Sequence, residues 1–327
     1  MNRKVSGSKI LITGGAGFIG SNLIESMLRS GNHVVCLDNF STGKRENIET
    51  FMNNPDFLLI EGDIRNYTDC EKSVRGIDYV FHQAALGSVP RSIKDPVTST
   101  DVNIGGFVKM LYASKEANVK RFIYAASSST YGDHPDLPKV EEKIGRPMSP
   151  YGITKYVDEL FAANFSATYN IEVIGLRYFN VFGRRQDPQG AYAAVIPLFV
   201  KKLMNHESPV INGDGSYSRD FTYIDNVLQA NNLAALTQDL SAVNQIYNVA
   251  HGERTNLNEL FELIRNLIGN FDSEVLNIKP VYGPNRGGDI PHSLASIEKA
   301  KRLLGYEPTH SVREGMSEAI RWYRDNL

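Results

Sequence analysis

Cysteine is nearly absent from the 327 residues: Cys36 and Cys70 are the only two. Two cysteines make no disulfide framework, and nothing around them has the spacing of a zinc site. The seven histidines are scattered, which argues against a metal centre. No apolar run approaches the length needed to span a bilayer. Met1 to Ser8 is polar and Lys9–Thr13 is too short for a signal-peptide core, so a cytosolic chain without a leader is expected. Charge of one sign is lacking too. A net charge of −2 gives no electrostatic case for a nucleic acid or an anionic membrane as partner. Repeats and low-complexity tracts are missing. With 42% hydrophobic and 22% charged residues, what remains is an ordinary globular chain, long enough for one large or two medium domains.

The first half alternates short apolar runs with helical stretches. Lys9–Thr13, His33–Asp38, Phe57–Glu61, Tyr79–His82, Arg121–Ala126 and Glu172–Arg177 read as strands, and Phe18–Ser30, Thr68–Val74, Pro96–Ala117 and Tyr151–Tyr169 as helices. Such alternation predicts an α/β fold with a doubly wound parallel sheet. After Asn180 the rhythm breaks: Pro188, Gly190, Pro197, Pro209, Gly213 and Gly215 mark loops and short elements. Gln245–Val249 reads as one more strand, Leu257–Ile268 and Ser311–Asn326 as late helices. The expected division is a Rossmann domain, 1–180 plus about 222–255, and a smaller interleaved substrate domain, about 181–221 and 256–327.

Gly14-Gly15-Ala16-Gly17-Phe18-Ile19-Gly20 follows the first strand and opens the first helix. Glycines there permit a tight turn and let the backbone approach a pyrophosphate at the helix start. Asp38 ends the second strand 18 residues beyond Gly20, beside Asn39. Its carboxylate suits a ribose 2′-hydroxyl and repels a 2′-phosphate, so NAD is expected rather than NADP. Asp63 and Ile64 after the third strand belong near an adenine, Ala84 and Ala85 after the fourth near the phosphates. Tyr151 and Lys155, four residues apart, share one face of a helix. A free phenol titrates at about 10, and a nearby cation favours its phenolate. Ser127 lies 24 residues upstream in a run of three serines.

With Gly14, Gly17, Gly20, Asp38, Asp63, Ala84, Ala85, Asn103, Ser127, Tyr151 and Lys155 in this order, the chain resembles the extended short-chain dehydrogenase/reductases, and among them the UDP-hexose 4-epimerases. Leu176–Asn180, Ser218–Phe221 and Arg286–Asp289 match nucleotide-sugar motifs of that group. The resemblance implies bound NAD, with Asn103, Phe179, Tyr151 and Lys155 also on the cofactor side and Phe179 beside the nicotinamide. It implies Tyr151 as the base taking the proton of the sugar 4-hydroxyl, Lys155 on the nicotinamide ribose, and Ser127 on the 4-oxygen, so that a 4-keto sugar forms and is reduced on its other face. For a UDP-sugar it implies Asn180, Arg219 and Arg286 on the diphosphate, Asp289 on the uridine ribose, and Val195, Val210 and Asn212 around the uridine. A homodimer paired through Pro96–Ala117 and Tyr151–Tyr169 is implied too, where Phe107, Leu111, Leu160 and Phe161 suit an interface or the core.

The relatives that eliminate water carry Asp-Glu after the serine, and the decarboxylases resembling them keep the Glu; Ser128 and Ser129 stand there instead. Asp38 counts against the NADP-dependent reductases, and intact Tyr151 and Lys155 against a non-catalytic NAD sensor. Ser293 occupies a position that is commonly a bulky Tyr in glucose/galactose epimerases. A serine there leaves room for an N-acetyl group, and Ser88 with Ser127–Ser129 adds polar contacts. With Arg184-Arg185-Gln186-Asp187-Pro188, this looks most like the UDP-N-acetylhexosamine 4-epimerases of bacterial surface polysaccharide synthesis. A C6-carboxylated sugar stays open, since Arg91 or Arg185 could pair with it, as does UDP-glucose/UDP-galactose.

Overall fold

Short runs of Val, Ile, Leu and Phe build a seven-stranded sheet in the computed structural model, which describes residues 4–188, 194–284 and 290–326. The strands are β1 (Lys9–Thr13), β2 (His33–Asp38), β3 (Phe57–Glu61), β4 (Tyr79–His82), β5 (Arg121–Ser127) and β6 (Val173–Tyr178), with Gln245–Val249 as the seventh. Their order is β3-β2-β1-β4-β5-β6 and then Gln245–Val249, every pairing parallel. Successive residues face opposite apolar layers: Ile10 and Ile12 join one, Leu11 the other. All six residues of β6 are buried, whereas edge strand β3 has none fully buried. The order reverses between β1 and β4, which opens a crevice at the carboxyl ends of these strands. The expected strand bounds hold to within one residue.

Two helices matter most for that crevice. α1 (Phe18–Arg29) leaves β1 through the glycine loop. The Pro150–Tyr169 helix starts at Ser149, whose hydroxyl accepts from the Gly152 N–H at 3.1 Å, and it ends at Asn170 in the left-handed conformation. Its inward face carries Lys155, Asp158 and Glu159. A structural helix seldom turns three charges inward.

The stretch expected as one helix, Pro96–Ala117, is three segments. Pro96–Thr100 and Phe107–Glu116 are α-helical, and Asp101–Gly106 between them is a π turn. Gly106 lies flat on Ile64, where a Cβ would come within 2.5 Å of the isoleucine. The widened turn swings Asn103 inward.

Past Asn180 the chain forms two-stranded ribbons: Val181–Phe182 with Thr222–Tyr223, Val210–Asn212 with Val281–Gly283, and Ser218–Arg219 with Thr255–Asn256. The Ile224–Leu236 helix, not foreseen in the sequence, returns to the sheet. The Arg121 guanidinium holds its end, donating to the carbonyls of Ala234, Ala235 and Thr237 at 2.8–3.0 Å. Of the four apolar residues expected at an interface or in the core, Phe107 and Leu111 are fully buried, while Leu160 and Phe161 are exposed. No helix among the described residues is long and apolar enough to cross a membrane.

Candidate active site

Gly14 and Gly20 are needed for backbone geometry. Gly14 has φ +66°, and a Cβ on it would lie 2.8 Å from Ala84. A Cβ on Gly20 would meet the Gly14 carbonyl oxygen at 2.2 Å. α1 therefore packs directly on the loop, and no side chain caps its amino end. Its first N–H groups face a cleft of about 420 Å³, within the range of ligand sites. Gly14, Gly17, Phe18, Ile19 and Gly20 line that cleft, as do Asp38, Asn39, Asp63, Ile64, Ala84 and Ala85.

Asp38 is buried, and burial raises its pKa against two backbone N–H groups, of Phe40 at 2.8 Å and Ala16 at 2.9 Å, that favour the anion. Those bonds aim the carboxylate. Asp63 sits lower, held to about 2 chiefly by the Arg65 side chain, and accepts from Asn39 at 2.8 Å. Gln83, which sequence reasoning passed over, also lines the cleft; both ends of its amide are buried without a protein hydrogen-bond partner. Its only sequence signal is its place before Ala84 at the end of β4. Lys44 and Asp187 line the cleft from two distant segments and meet at 3.1 Å, a contact no spacing could have announced.

Ser127, Tyr151 and Lys155 line the same cleft. Ser127 ends β5, and its hydroxyl oxygen accepts from the Ser129 N–H at 3.1 Å and lies 3.2 Å from the Ser129 hydroxyl. The Tyr151 N–H donates to the Ser92 hydroxyl at 3.0 Å, satisfying one orphan donor of the helix start. Lys155 is buried; its ammonium donates to the Ala125 carbonyl at 3.0 Å and to Asp158 at 3.2 Å. His82, below it on β4, is pushed down to about 3 by burial and then by the Lys155 charge. A neutral imidazole leaves Lys155 the nearby cation. Asn103 is a buried tie outside the cleft lining: its oxygen accepts from the Leu86 N–H at 2.8 Å, and its amide nitrogen donates to Thr154 at 3.0 Å. The π turn thus holds the first turn of the Tyr151 helix.

Several expected residues lie elsewhere. Phe179 does not line the cleft: its ring is fully buried, 5.9 Å from the Tyr131 ring, and its neighbours Tyr178 and Asn180 face the cleft instead. Ser88 caps the short Val89–Lys94 helix, accepting from the Arg91 N–H at 3.2 Å, so its hydroxyl is engaged in holding backbone. Ser128 and Ser129 lie in the 3₁₀ turn after β5, outside the lining. Val195, Val210, Asn212, Arg219 and Ser293 belong to the later segments and do not line this cleft either. Arg219 and Ser293 are brought together, since Arg219 donates to the Pro291 carbonyl at 3.1 Å and the Ser293 N–H to that of Ser218 at 3.0 Å. Arg286 and Asp289 lie outside the described residues.

One residue joins these segments to the cleft. The Asp220 carboxylate, buried completely, accepts from the N–H groups of His251, Gly252 and Ala295 at 3.0–3.2 Å. Its own carbonyl accepts from the Asn180 amide at 3.0 Å. Away from the cleft, Asp225, His310 and Glu318 group closely enough to suggest a metal site. The Arg184 guanidinium lies 2.8 Å from Asp225, and Tyr223 donates to Glu318 at 3.0 Å, which makes this an ion-pair network instead.

Fold and site together define a dinucleotide-dependent enzyme with a Ser–Tyr–Lys set at the carboxyl ends of its strands. The profile of the NAD dependent epimerase/dehydratase family matches residues 10–250, and the chain belongs to that family. A putative UDP-glucose 4-epimerase of Methanocaldococcus jannaschii is 37% identical over 319 residues, 97% of this chain and 99% of that protein. Among solved structures, a UDP-N-acetylglucosamine 4-epimerase from Methanobrevibacter ruminantium, in complex with UDP-N-acetylmuramic acid, superposes with a TM-score of 0.92 at 37% identity, covering 99% of this chain and 100% of that one. A UDP-glucuronic acid 4-epimerase from Bacillus cereus, with UDP-glucuronic acid and NAD, gives 0.87 at 32%, covering 98% and 100%. The cofactor is NAD, and the uncapped α1 start, the glycine cradle and the aimed Asp38 fit it.

Proposed function

We propose that this chain, an NAD-dependent UDP-sugar 4-epimerase, interconverts UDP-N-acetylglucosamine and UDP-N-acetylgalactosamine for surface polysaccharide synthesis. The observation that carries the chemistry is one cleft holding Ser127, Tyr151 and Lys155 beside the glycine loop and Asp38. The Tyr151 oxygen takes the proton of the sugar 4-hydroxyl, with the Lys155 ammonium stabilising the phenolate. Ser127 donates to the 4-oxygen as charge develops on it. NAD, when bound, would supply the hydride chemistry at C4, in both directions. The resulting 4-ketone turns over in the pocket, and Tyr151 returns the proton once the opposite face is reduced. Gly14, Gly17 and the α1 start would hold the pyrophosphate, Asp38 the adenine-side ribose and Lys155 the other ribose. Asn180, Arg219, Arg286 and Asp289 take the UDP moiety.

The acetamido sugar is supported by Ser293 where a bulky tyrosine would close the wall, and by the likeness to the Methanobrevibacter enzyme. Against a C6 carboxylate, Arg185 is already paired with Glu25 at 2.7 Å. UDP-glucose is the second reading, since the Methanocaldococcus relative carries that name. Ser293→Tyr separates the two. The added ring should abolish turnover of the acetamido sugar and leave UDP-glucose turned over, because steric exclusion discriminates more than the ~1–3 kcal/mol of a single contact. Equal loss on both sugars, or no loss on either, would remove Ser293 from the sugar wall. The enzyme works as a homodimer through the Pro96–Thr100 and Pro150–Tyr169 helices, whose Val97, Ile153, Leu160 and Phe161 are exposed apolar residues. Sedimentation at micromolar concentration should give the dimer; a stable monomer contradicts it.

A further inference from the structure

We propose that Asp158 is a positioning residue for the reaction, a counter-ion that holds the Lys155 ammonium in place and limits the positive field it exerts on Tyr151. The two side chains are three residues apart on one helix, 3.2 Å apart, and only 3% and 1% exposed. A carboxylate buried this far is costly unless an opposite charge meets it. Lys155 is the cation that does so, and the second carboxylate oxygen of Asp158 is buried without any hydrogen-bond partner. Apart from holding the ammonium, that carboxylate has no hydrogen-bonding task among the described residues.

The other ionisable groups packed around the pair are fixed. On the same helix, Glu159 is bound at both oxygens by Arg177 of β6, at 2.8 Å each. His82 on β4 is neutral, pushed down to about 3 by burial. Tyr124 on β5 is held in its protonated form, also by burial. Asp158 alone is poised to change: burial lifts it to about 7, against the pull of Lys155 and with a smaller push from Glu159. With Asp158 protonated, the ammonium acts on Tyr151 with its full field. With Asp158 ionised, part of that field is offset, and the phenolate gains less. Loss of the two protons is therefore opposed, each making the other harder, which spreads the approach to full activity over a wider pH range.

This rests on the assignment of Tyr151 and Lys155 above, and two variants keep the failures apart. In the NAD-loaded enzyme, Asp158→Asn keeps the shape and an acceptor oxygen but never carries charge. Its kcat–pH profile should show an acid limb moved to lower pH, by up to about one unit, and steeper than wild type. Asp158→Ser, smaller and also uncharged, should shift the limb the same way and serves if the amide variant does not fold. An acid limb of unchanged midpoint and slope, with kcat merely scaled down, would make Asp158 a packing residue and overturn the proposal, as would a shift to higher pH. Tyr151→Phe reports on the underlying reading separately: if it keeps near-normal turnover, that assignment fails whatever Asp158 does.

Discussion

The cofactor end of this molecule and the segments proposed as its sugar end are built by opposite means. The cofactor end is backbone laid directly on backbone: Gly14 on Ala84, Gly20 on Gly14, Ala16 donating to Asp38. Contacts this close demand particular residues at fixed short spacings. The segments proposed to take the UDP-sugar are two-stranded ribbons and loops far apart in the chain, gathered around the buried carboxylate of Asp220. Many sequences could supply such loops. Cofactor identity is accordingly fixed by the family, while the segments proposed to choose the sugar are under no such close-packing demand.

The largest effect should come from removing the chemistry while leaving both ends alone. Tyr151→Phe keeps the ring and should retain fold and bound NAD, yet lose at least the 10²–10⁴-fold typical of an acid–base group. Steady-state turnover together with the dinucleotide released on denaturation checks both halves. Next, Gly17→Val should break the cofactor end alone. Gly17 has an extended backbone that valine can adopt and lines the cleft at the α1 start; an added Cβ would lie 3.1 Å from the Gly14 carbonyl oxygen, and the valine methyls would crowd the approach of a pyrophosphate. Purified variant should carry little NAD while still binding UDP by calorimetry. Retention of NAD at full occupancy would mean that close approach is not what the glycine provides.

Asp220→Asn should do the reverse, weakening the sugar end alone. An amide keeps one acceptor oxygen for three N–H groups, a loss of about 1.5 kcal/mol, so KM for the UDP-sugar should rise roughly tenfold at unchanged NAD content. An unchanged KM would deny Asp220 its gathering role. The same carboxyl also bears on stability. Burial raises Asp220 to about 7 despite its three N–H donors, whereas an unfolded Asp titrates at about 3.9. The folded chain thus keeps a proton that the unfolded chain releases. That contribution is full below about 4 and is lost as pH rises through about 7. Relative to Asp220→Asn, the wild type should melt progressively lower between about pH 4 and pH 7. A difference that does not vary with pH would contradict the buried titration.

The same contrast explains what could be read in advance. The seven strands, the glycine loop, Asp38, and the Tyr151–Lys155 pair are local patterns, set by periods of two and of three to four residues. The π turn at Asp101–Gly106 packs its Gly106 against Ile64 from another part of the chain, a contact that no local pattern announces. Phe179 shows the limit of resemblance: the motif places the residue, but the alternation at the end of β6 aims its neighbours at the cleft and its own ring at Tyr131. Asp158 carried no spacing signal, and Asp220, though inside the Ser218–Phe221 motif, drew no role of its own from it. Each becomes visible only once a buried carboxylate can be asked what it is bonded to.

Turnover of UDP-N-acetylglucosamine, UDP-glucose and UDP-N-acetylglucosaminuronic acid by purified protein, compared without added NAD, tests the assignment most directly. UDP-N-acetylglucosamine should be converted to its 4-epimer with the highest kcat/KM and no net consumption of dinucleotide, because the hydride returns within each cycle. Preference for UDP-glucose or for the uronic acid, or a requirement for NAD in proportion to product, would contradict it.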